Sequence, residues 1–285
     1  RQQRGSSERS LAARRPSPMG AGRNARRRVL AIIPARWGST RFPGKPLARV
    51  GGVPMILRTL ERAAAARRVD AVRVATDDER IRAAVEAAGG TAIMTPTECA
   101  TGTDRVLAAT SGLGLDADDV VINVQGDEPL IDPAHIDLLA EALLDPRAPP
   151  MATLAVRELP RPELADPNLV KVVLDRAGDA LYFSRSLIPY QRAASPFILR
   201  HIGLYAFRFY FLQTYSELPQ SVLEAAEGLE QLRVLEAGHK LRVLPVAGPV
   251  APGIDTPEQL ASLEAQLALS ATKRGEPTSA GRGEA

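Results

Sequence analysis

The 285-residue chain is 45% apolar and 24% charged, enough to bury the core of one large α/β domain or two small ones. No apolar run approaches the ~20 residues that a membrane-spanning helix needs. The net charge of +3 and the pI of 9.2 invite a nucleic-acid reading, yet residues 1–28 hold nine Arg and one Glu, so that segment carries +8 and leaves −5 to the remainder.

The basic segment is rich in Arg, Ser, Gly and Pro without apolar periodicity, which predicts a disordered tail over 1–28 and no nucleic-acid partner for the folded part. It lacks the apolar core of a secretory signal, and Met19 inside it suggests a translation start assigned too early. Cys99 is the only cysteine, so no intramolecular disulfide, cysteine-built zinc site or CxxC motif can form, which fits the cytosol.

From Val29 onward, short β-branched runs alternate with amphipathic stretches, the pattern of a mostly parallel sheet flanked by helices. Strands are predicted at 29–33, 72–75, 92–94 and 120–124, and helices from Pro54 to Arg68, at 80–88, 103–110 and 133–144. After Pro149-Pro150 come strands at 151–156, 170–174 and 180–183, the last two a hairpin through Asp175–Gly178, so 150–205 reads as an antiparallel insertion. Helices at 208–215 and 222–237, a strand at 241–246 and a helix from Pro257 to about Leu269 complete the domain, and 271–285 reads as a second tail. The expected architecture is a Rossmann-like α/β domain over 29–270 with a small antiparallel insertion.

The loop after the first strand contains Arg36, Gly38, Ser39, Arg41, Gly44 and Lys45. Glycines and long cations at the carboxyl end of a first strand suit a polyphosphate. Five residues between Gly38 and Gly44, with Pro46 after Lys45, exclude a Walker loop, and no GxGxxG occurs. Asp127 follows the 120–124 strand through Gln125-Gly126, a position suited to a Mg²⁺ carboxylate, though Gly-Asp also favours a plain turn. Asp255 precedes Thr256-Pro257, where a simple helix start reads equally well.

Through IIPARWGSTRFPGKPL, VATDDERI, TGTDRV, INVQGDEPLI, YFSRSLIP, RHIGLYAFR, LEQLRVLEAG and GIDTPEQL, residues 29 to about 265 resemble the 3-deoxy-manno-octulosonate (Kdo) cytidylyltransferases, or CMP-Kdo synthetases. The resemblance implies the nucleotide-diphospho-sugar transferase type of fold, and transfer of CMP from CTP to Kdo with release of pyrophosphate, for lipopolysaccharide synthesis in the cytoplasm by a homodimer that uses the insertion for dimerisation and sugar binding. It implies that Arg36, Ser39, Arg41 and Lys45 hold the phosphates, with Arg36 and Lys45 catalytic. Ala35, Ala75, Thr76, Asp77, Thr101, Gly102 and Thr103 would complete the CTP site, and Asp127 and Asp255 would be catalytic Mg²⁺ ligands. Gln125, Arg185, His201, Tyr205, Glu230 and Gln231 would line the sugar-acid pocket, with Arg185 pairing with the acid's carboxylate and His201 donating a hydrogen bond to the sugar. Cys99 and Thr101 stand where the family usually has His and Ser, which removes an imidazole from the cytidine side.

Three rival readings remain: a cytidylyltransferase for 8-amino-Kdo or a sialic acid, a glycosyltransferase using Asp116-Ala-Asp118 as a DxD, and a non-catalytic nucleotide-binding module. The DxD precedes its strand, and the presence of Arg36, Lys45, Asp127 and Asp255 favours a working enzyme.

Overall fold

The computed structural model describes residues 26–38, 41–159, 161–193, 197–251 and 253–275. The expected tails over 1–25 and 276–285 lie outside the described residues, as does Ser39. In chain order the elements are β1 (Val29–Ala35), β2 (Arg49–Val50), β3 (Val53–Pro54), α1 (Met55–Ala64), β4 (Ala71–Thr76), α2 (Glu79–Ala87), β5 (Ala92–Met94), α3 (Gly102–Thr110), β6 (Val120–Asn123) and α4 (Pro133–Leu144). They continue with β7 (Met151–Glu158), β8 (Lys171–Leu174), β9 (Ala180–Ser184), β10 (Ile198–Arg208), α5 (Phe209–Glu217), α6 (Val222–Glu227), α7 (Leu232–Glu236), β11 (Leu241–Val246) and α8 (Pro257–Gly275).

The main sheet runs β11-β7-β10-β6-β1-β4-β5. Its neighbours pair in parallel except around β10, which runs antiparallel to both β6 and β7. β1 and β6 are buried along their length because helices cover both faces, which is why each reads as an unbroken apolar run. Alternate residues of β1 serve opposite faces. Ala31 and Ile33 pack with Ile56 of α1 and Ile136 of α4, whereas Ile32 packs with Val106 of α3 and Phe211 of α5.

Five sequence expectations are corrected. The 151–156 strand and most of β10 belong to the main sheet, so only β8, β9 and the start of β10 form the antiparallel extension. β10 itself was not expected: its alternation is broken by a bulge between Ile202 and Tyr205. The single helix expected over 222–237 is two, because Gly228 takes a left-handed conformation at φ 62° that ends α6. The basic tail also ends earlier than residue 28. Arg26 pairs with Asp70 at 3.1 Å, Arg27 donates to the Leu144 carbonyl, and Arg28 binds Asp119 through its backbone N–H and its side chain. α8, for its part, continues to Gly275.

Asp119 is 2% exposed and accepts hydrogen bonds from Arg28 N, Arg28 Nε and Asp116 N, at 2.8, 2.9 and 2.9 Å. It ties the residues leading into β1 to those leading into β6. Asp119→Ala leaves these donors unpaired, and a loss of about 2 kcal/mol in unfolding free energy is expected from urea titration.

Candidate active site

A cavity of about 380 Å³ opens at the carboxyl ends of β1 and β6. Parallel pairing brings these ends side by side, and Gly126 allows the closest approach: a Cβ there would lie 2.8 Å from the Pro34 carbonyl oxygen. The loop after β1 curls over the cavity. Gly44, at φ 70°, donates its N–H to the Trp37 carbonyl at 3.2 Å and lies against the Trp37 ring, which also meets the Arg80 guanidinium 3.4 Å from the ring centre. This clamp presents Arg36, Arg41 and Lys45 along the cavity wall.

The ammonium of Lys45 lies between two carboxylates, 2.7 Å from Asp127 Oδ2 and 3.1 Å from Asp255 Oδ1. Arg41 adds an ion pair to Asp255 at 3.2 Å. The loops bearing the acids are joined by the Ile254 N–H, which donates to the Asp127 carbonyl at 2.9 Å. Two like charges converge here, as the resemblance implies for a metal site. The donors are carboxylate oxygens, few in number and open to a cavity, which fits Mg²⁺: that ion takes one or two protein carboxylates and completes its shell with water and phosphate. Burial, reinforced by Asp127 and opposed by Arg200, pushes the neighbouring Glu128 up to about 8. The Asp116–Asp118 pair lies at the opposite end of β6, away from the cavity, so the DxD reading finds no site.

The far side of the cavity is the start of α3. Thr101 caps this helix by accepting from Asp104 N while the Asp104 carboxylate accepts from Thr101 N. Thr101 and Gly102 line the cavity, together with Ala35, Gln125 and Glu230. Ala75 and Thr76 are fully buried and, like Asp77, do not line it, although Asp77 is bound by the cavity residue Arg105 at 2.7 Å. Arg105 is a cavity residue that sequence reading missed. It is 3% exposed and also donates to Thr95 Oγ1 at 2.7 Å. Its signal was present as a charge on the core-facing stripe of α3. Cys99 also lines the cavity, its thiol pushed up by burial.

Thr103 connects α3 to Glu230. Its hydroxyl donates to Glu230 at 3.3 Å, Tyr215 donates to the same carboxylate at 3.2 Å, and burial raises the Glu230 carboxyl against these bonds. The consecutive residues Glu230 and Gln231 face different cavities. Gln231 opens on a space of about 270 Å³ shared with His201, Tyr205, Arg200 and the 168–170 segment. The Gln231 Nε2 donor is buried and lacks a partner among the described residues, the state of a group that a ligand would satisfy. Lys171, fully buried, anchors the cavity wall by donating to the carbonyls of Asp166, Leu169 and Arg185.

Arg185 does not line this cavity. Its guanidinium donates to the carbonyls of Glu227, Pro167 and Gly228 at 2.6, 2.9 and 3.2 Å, so here it braces loops instead of presenting a fork to a carboxylate. Arg200, which sequence reading passed over, is the cation that does line it, and it is ion-paired to Glu158.

Enclosure, helped by Arg200, pushes the His201 imidazole from its ordinary 6.5 to about 3. The unfolded chain therefore binds a proton that the folded chain refuses, and stability falls as pH drops from 6.5 towards 3. Urea unfolding between pH 6.5 and 4.5 should show a shallower pH slope for His201→Gln than for the parent chain.

Comparison with known proteins gives the family. The family model described as Cytidylyltransferase matches residues 30–241. A 3-deoxy-manno-octulosonate cytidylyltransferase of Anaeromyxobacter sp. (strain Fw109-5) is 54% identical over 244 residues, 85% of this chain and 98% of the relative. An 8-amino-3,8-dideoxy-manno-octulosonate cytidylyltransferase of Shewanella halifaxensis (strain HAW-EB4) is 49% identical over 245 residues, 85% of this chain and 99% of the relative. A solved structure of CMP:2-keto-3-deoxy-manno-octonic acid synthetase complexed with CTP superposes with a TM-score of 0.80 at 45% identity, covering 85% of this chain and 99% of its own. With its parallel sheet, cation-bearing β1 loop and paired carboxylates, the chain belongs to the cytidylyltransferase family.

Proposed function

We propose that this enzyme transfers CMP from CTP to 3-deoxy-manno-octulosonate, releasing pyrophosphate and supplying CMP-Kdo for lipopolysaccharide synthesis in the cytoplasm. The observation that carries the reading is the Lys45 ammonium shared by Asp127 and Asp255 in a cavity beside a second, sugar-sized one. CTP takes the first cavity, with its phosphates against Arg36, Arg41 and Lys45, and the acceptor takes the second, beside His201, Tyr205 and Gln231.

In-line transfer at the α-phosphate depends on positioning and charge neutralisation, with no covalent intermediate required. Asp127 and Asp255 would hold Mg²⁺, which when bound supplies Lewis-acid polarisation of the α-phosphate and acidifies the attacking hydroxyl. Lys45 and Arg36 stabilise the charge that gathers on the leaving pyrophosphate. Arg41, paired with Asp255, orients that carboxylate. Arg105 fixes Asp77 at the edge of the nucleoside side.

Pyrophosphate release should require Mg²⁺, stop on chelation and recover on re-addition. CTP should be the nucleotide used, with Kdo preferred over its 8-amino analogue and sialic acid. Lys45→Met should lower kcat by about 10²-fold. Preference for the amino sugar would keep the chemistry and change the acceptor, and no release from any pair would remove the enzymatic reading.

We further propose a homodimer formed through the antiparallel extension. Leu181, Leu187 and Phe197 are exposed there, and Tyr190 is 88% exposed, an apolar group that a second copy would cover. Sedimentation should give twice the chain mass, and Leu181→Glu with Tyr190→Glu should return it to one.

A further inference from the structure

The bulge in β10 creates a hydrogen-bonding constraint on His201. Ile202 is opposite Leu154 and Tyr205 is opposite Thr153, so Gly203 and Leu204 are extra residues on the β10 side. The carbonyls of Ile202 and Leu204 that flank the bulge both lie close to one hydroxyl, Thr153 Oγ1, at 3.1 and 2.8 Å. The same oxygen is 3.0 Å from His201 Nε2. Thr153 is fully buried, on a central part of β7.

Proton counting leaves one arrangement. A hydroxyl has a single hydrogen, and carbonyl oxygens only accept. If that hydrogen were turned to His201 Nε2, Oγ1 would face two carbonyl oxygens with no hydrogen between them, and both carbonyls would lose this donor. If it is shared between the carbonyls, Oγ1 has lone pairs left, and the short contact to the imidazole is satisfied only when Nε2 carries the hydrogen. Enclosure keeps the ring neutral. A neutral ring protonated on Nε2 has a bare lone pair on Nδ1.

We infer that Thr153 is a positioning residue that locks His201 in the Nε2–H tautomer, so that the imidazole offers the second cavity an acceptor, Nδ1, and takes a hydrogen from a hydroxyl of the acceptor substrate. This reverses the donor role expected from sequence. It rests on the proposed sugar-acid reading for the identity of the substrate, while the tautomer itself does not. Ring packing reinforces the lock: Phe183 meets His201 edge-on at 5.0 Å and Tyr205 lies tilted at 5.4 Å, which restrains rotation about χ2.

Imidazole nitrogens are distinguished by long-range ¹⁵N–¹H correlation. The chain has three histidines, so His201→Gln assigns the signal. The ligand-free protein at pH 7 should show His201 with a protonated-type Nε2 and a lone-pair-type Nδ1; the opposite pattern overturns the inference whether or not the protein turns over any sugar. Thr153→Val should then mix the two tautomers and raise KM for Kdo by about tenfold, the value of one hydrogen bond, with KM for CTP unchanged. Thr153→Ser, which keeps the hydroxyl, should restore both readouts. A folded Thr153→Val with a parental spectrum and parental KM for Kdo overturns the inference. Should Thr153→Val fail to fold, the parental spectrum and Thr153→Ser decide. Lack of transfer to any sugar acid by the parent chain, with the expected spectrum, would refute the substrate and leave the tautomer standing.

Discussion

The site depends on one electrostatic arrangement, the sharing of a single ammonium by two carboxylates from distant parts of the chain. Lys45 comes from the loop after β1, Asp127 from the end of β6 and Asp255 from the segment before α8, the acids 82 and 210 positions after the lysine. Two carboxylates this close repel one another unless a cation stands between them. Lys45 is only 15% exposed and supplies that charge. The Ile254–Asp127 backbone bond then holds the acids at a fixed separation. The fold's contribution is to make these loops meet, through parallel β1–β6 pairing and the absence of a side chain at Gly126.

The antiparallel strand β10 builds the second half of the site. Inserted between β6 and β7, it carries Tyr205 opposite Asn123 on one side and opposite Thr153 on the other. Its bulge bends the strand where His201 and Gly203 border the second cavity. The 168–170 segment leading into β8 lines this cavity, and it is held by a buried cation, Lys171, whose donors go to main-chain carbonyls. A charged group without a carboxylate partner is tolerated there because carbonyl dipoles replace its lost hydration. The parallel half of the sheet gathers cations and carboxylates at the first cavity, and the antiparallel half presents His201, Tyr205 and one ion-paired cation, Arg200, to the second.

Local sequence disclosed the parallel half well. Unbroken apolar runs mark β1 and β6, the 133–144 stretch reads as the helix α4, and the 36–45 loop stands out by its glycines and cations. β10 stayed hidden because its bulge breaks the two-residue period and because His201, Gly203 and Tyr205 read as a motif instead of a strand. The division of 222–237 was equally obscure, since helical periodicity continues across Gly228 while the backbone there turns left-handed. Arg105 went unnoticed because a cation on an apolar helix face is explained only by its partners Asp77 and Thr95, which lie on other elements.

The sequence by itself determined the α/β class, the confinement of excess positive charge to the N-terminal segment, and three cations of the first cavity, Arg36, Arg41 and Lys45. These follow from short-range periodicity and side-chain chemistry, which need no folded chain to be read. Only the tertiary structure decided that Lys45 stands between Asp127 and Asp255, that Arg185 spends its donors on loop carbonyls while Arg200 lines the second cavity, and that Thr153 Oγ1 stands against His201 Nε2. Each of those depends on what lies within about 3 Å of a given atom, and in a sheet whose central strand runs against its neighbours those neighbours are set by long-range pairing, to which local pattern is blind.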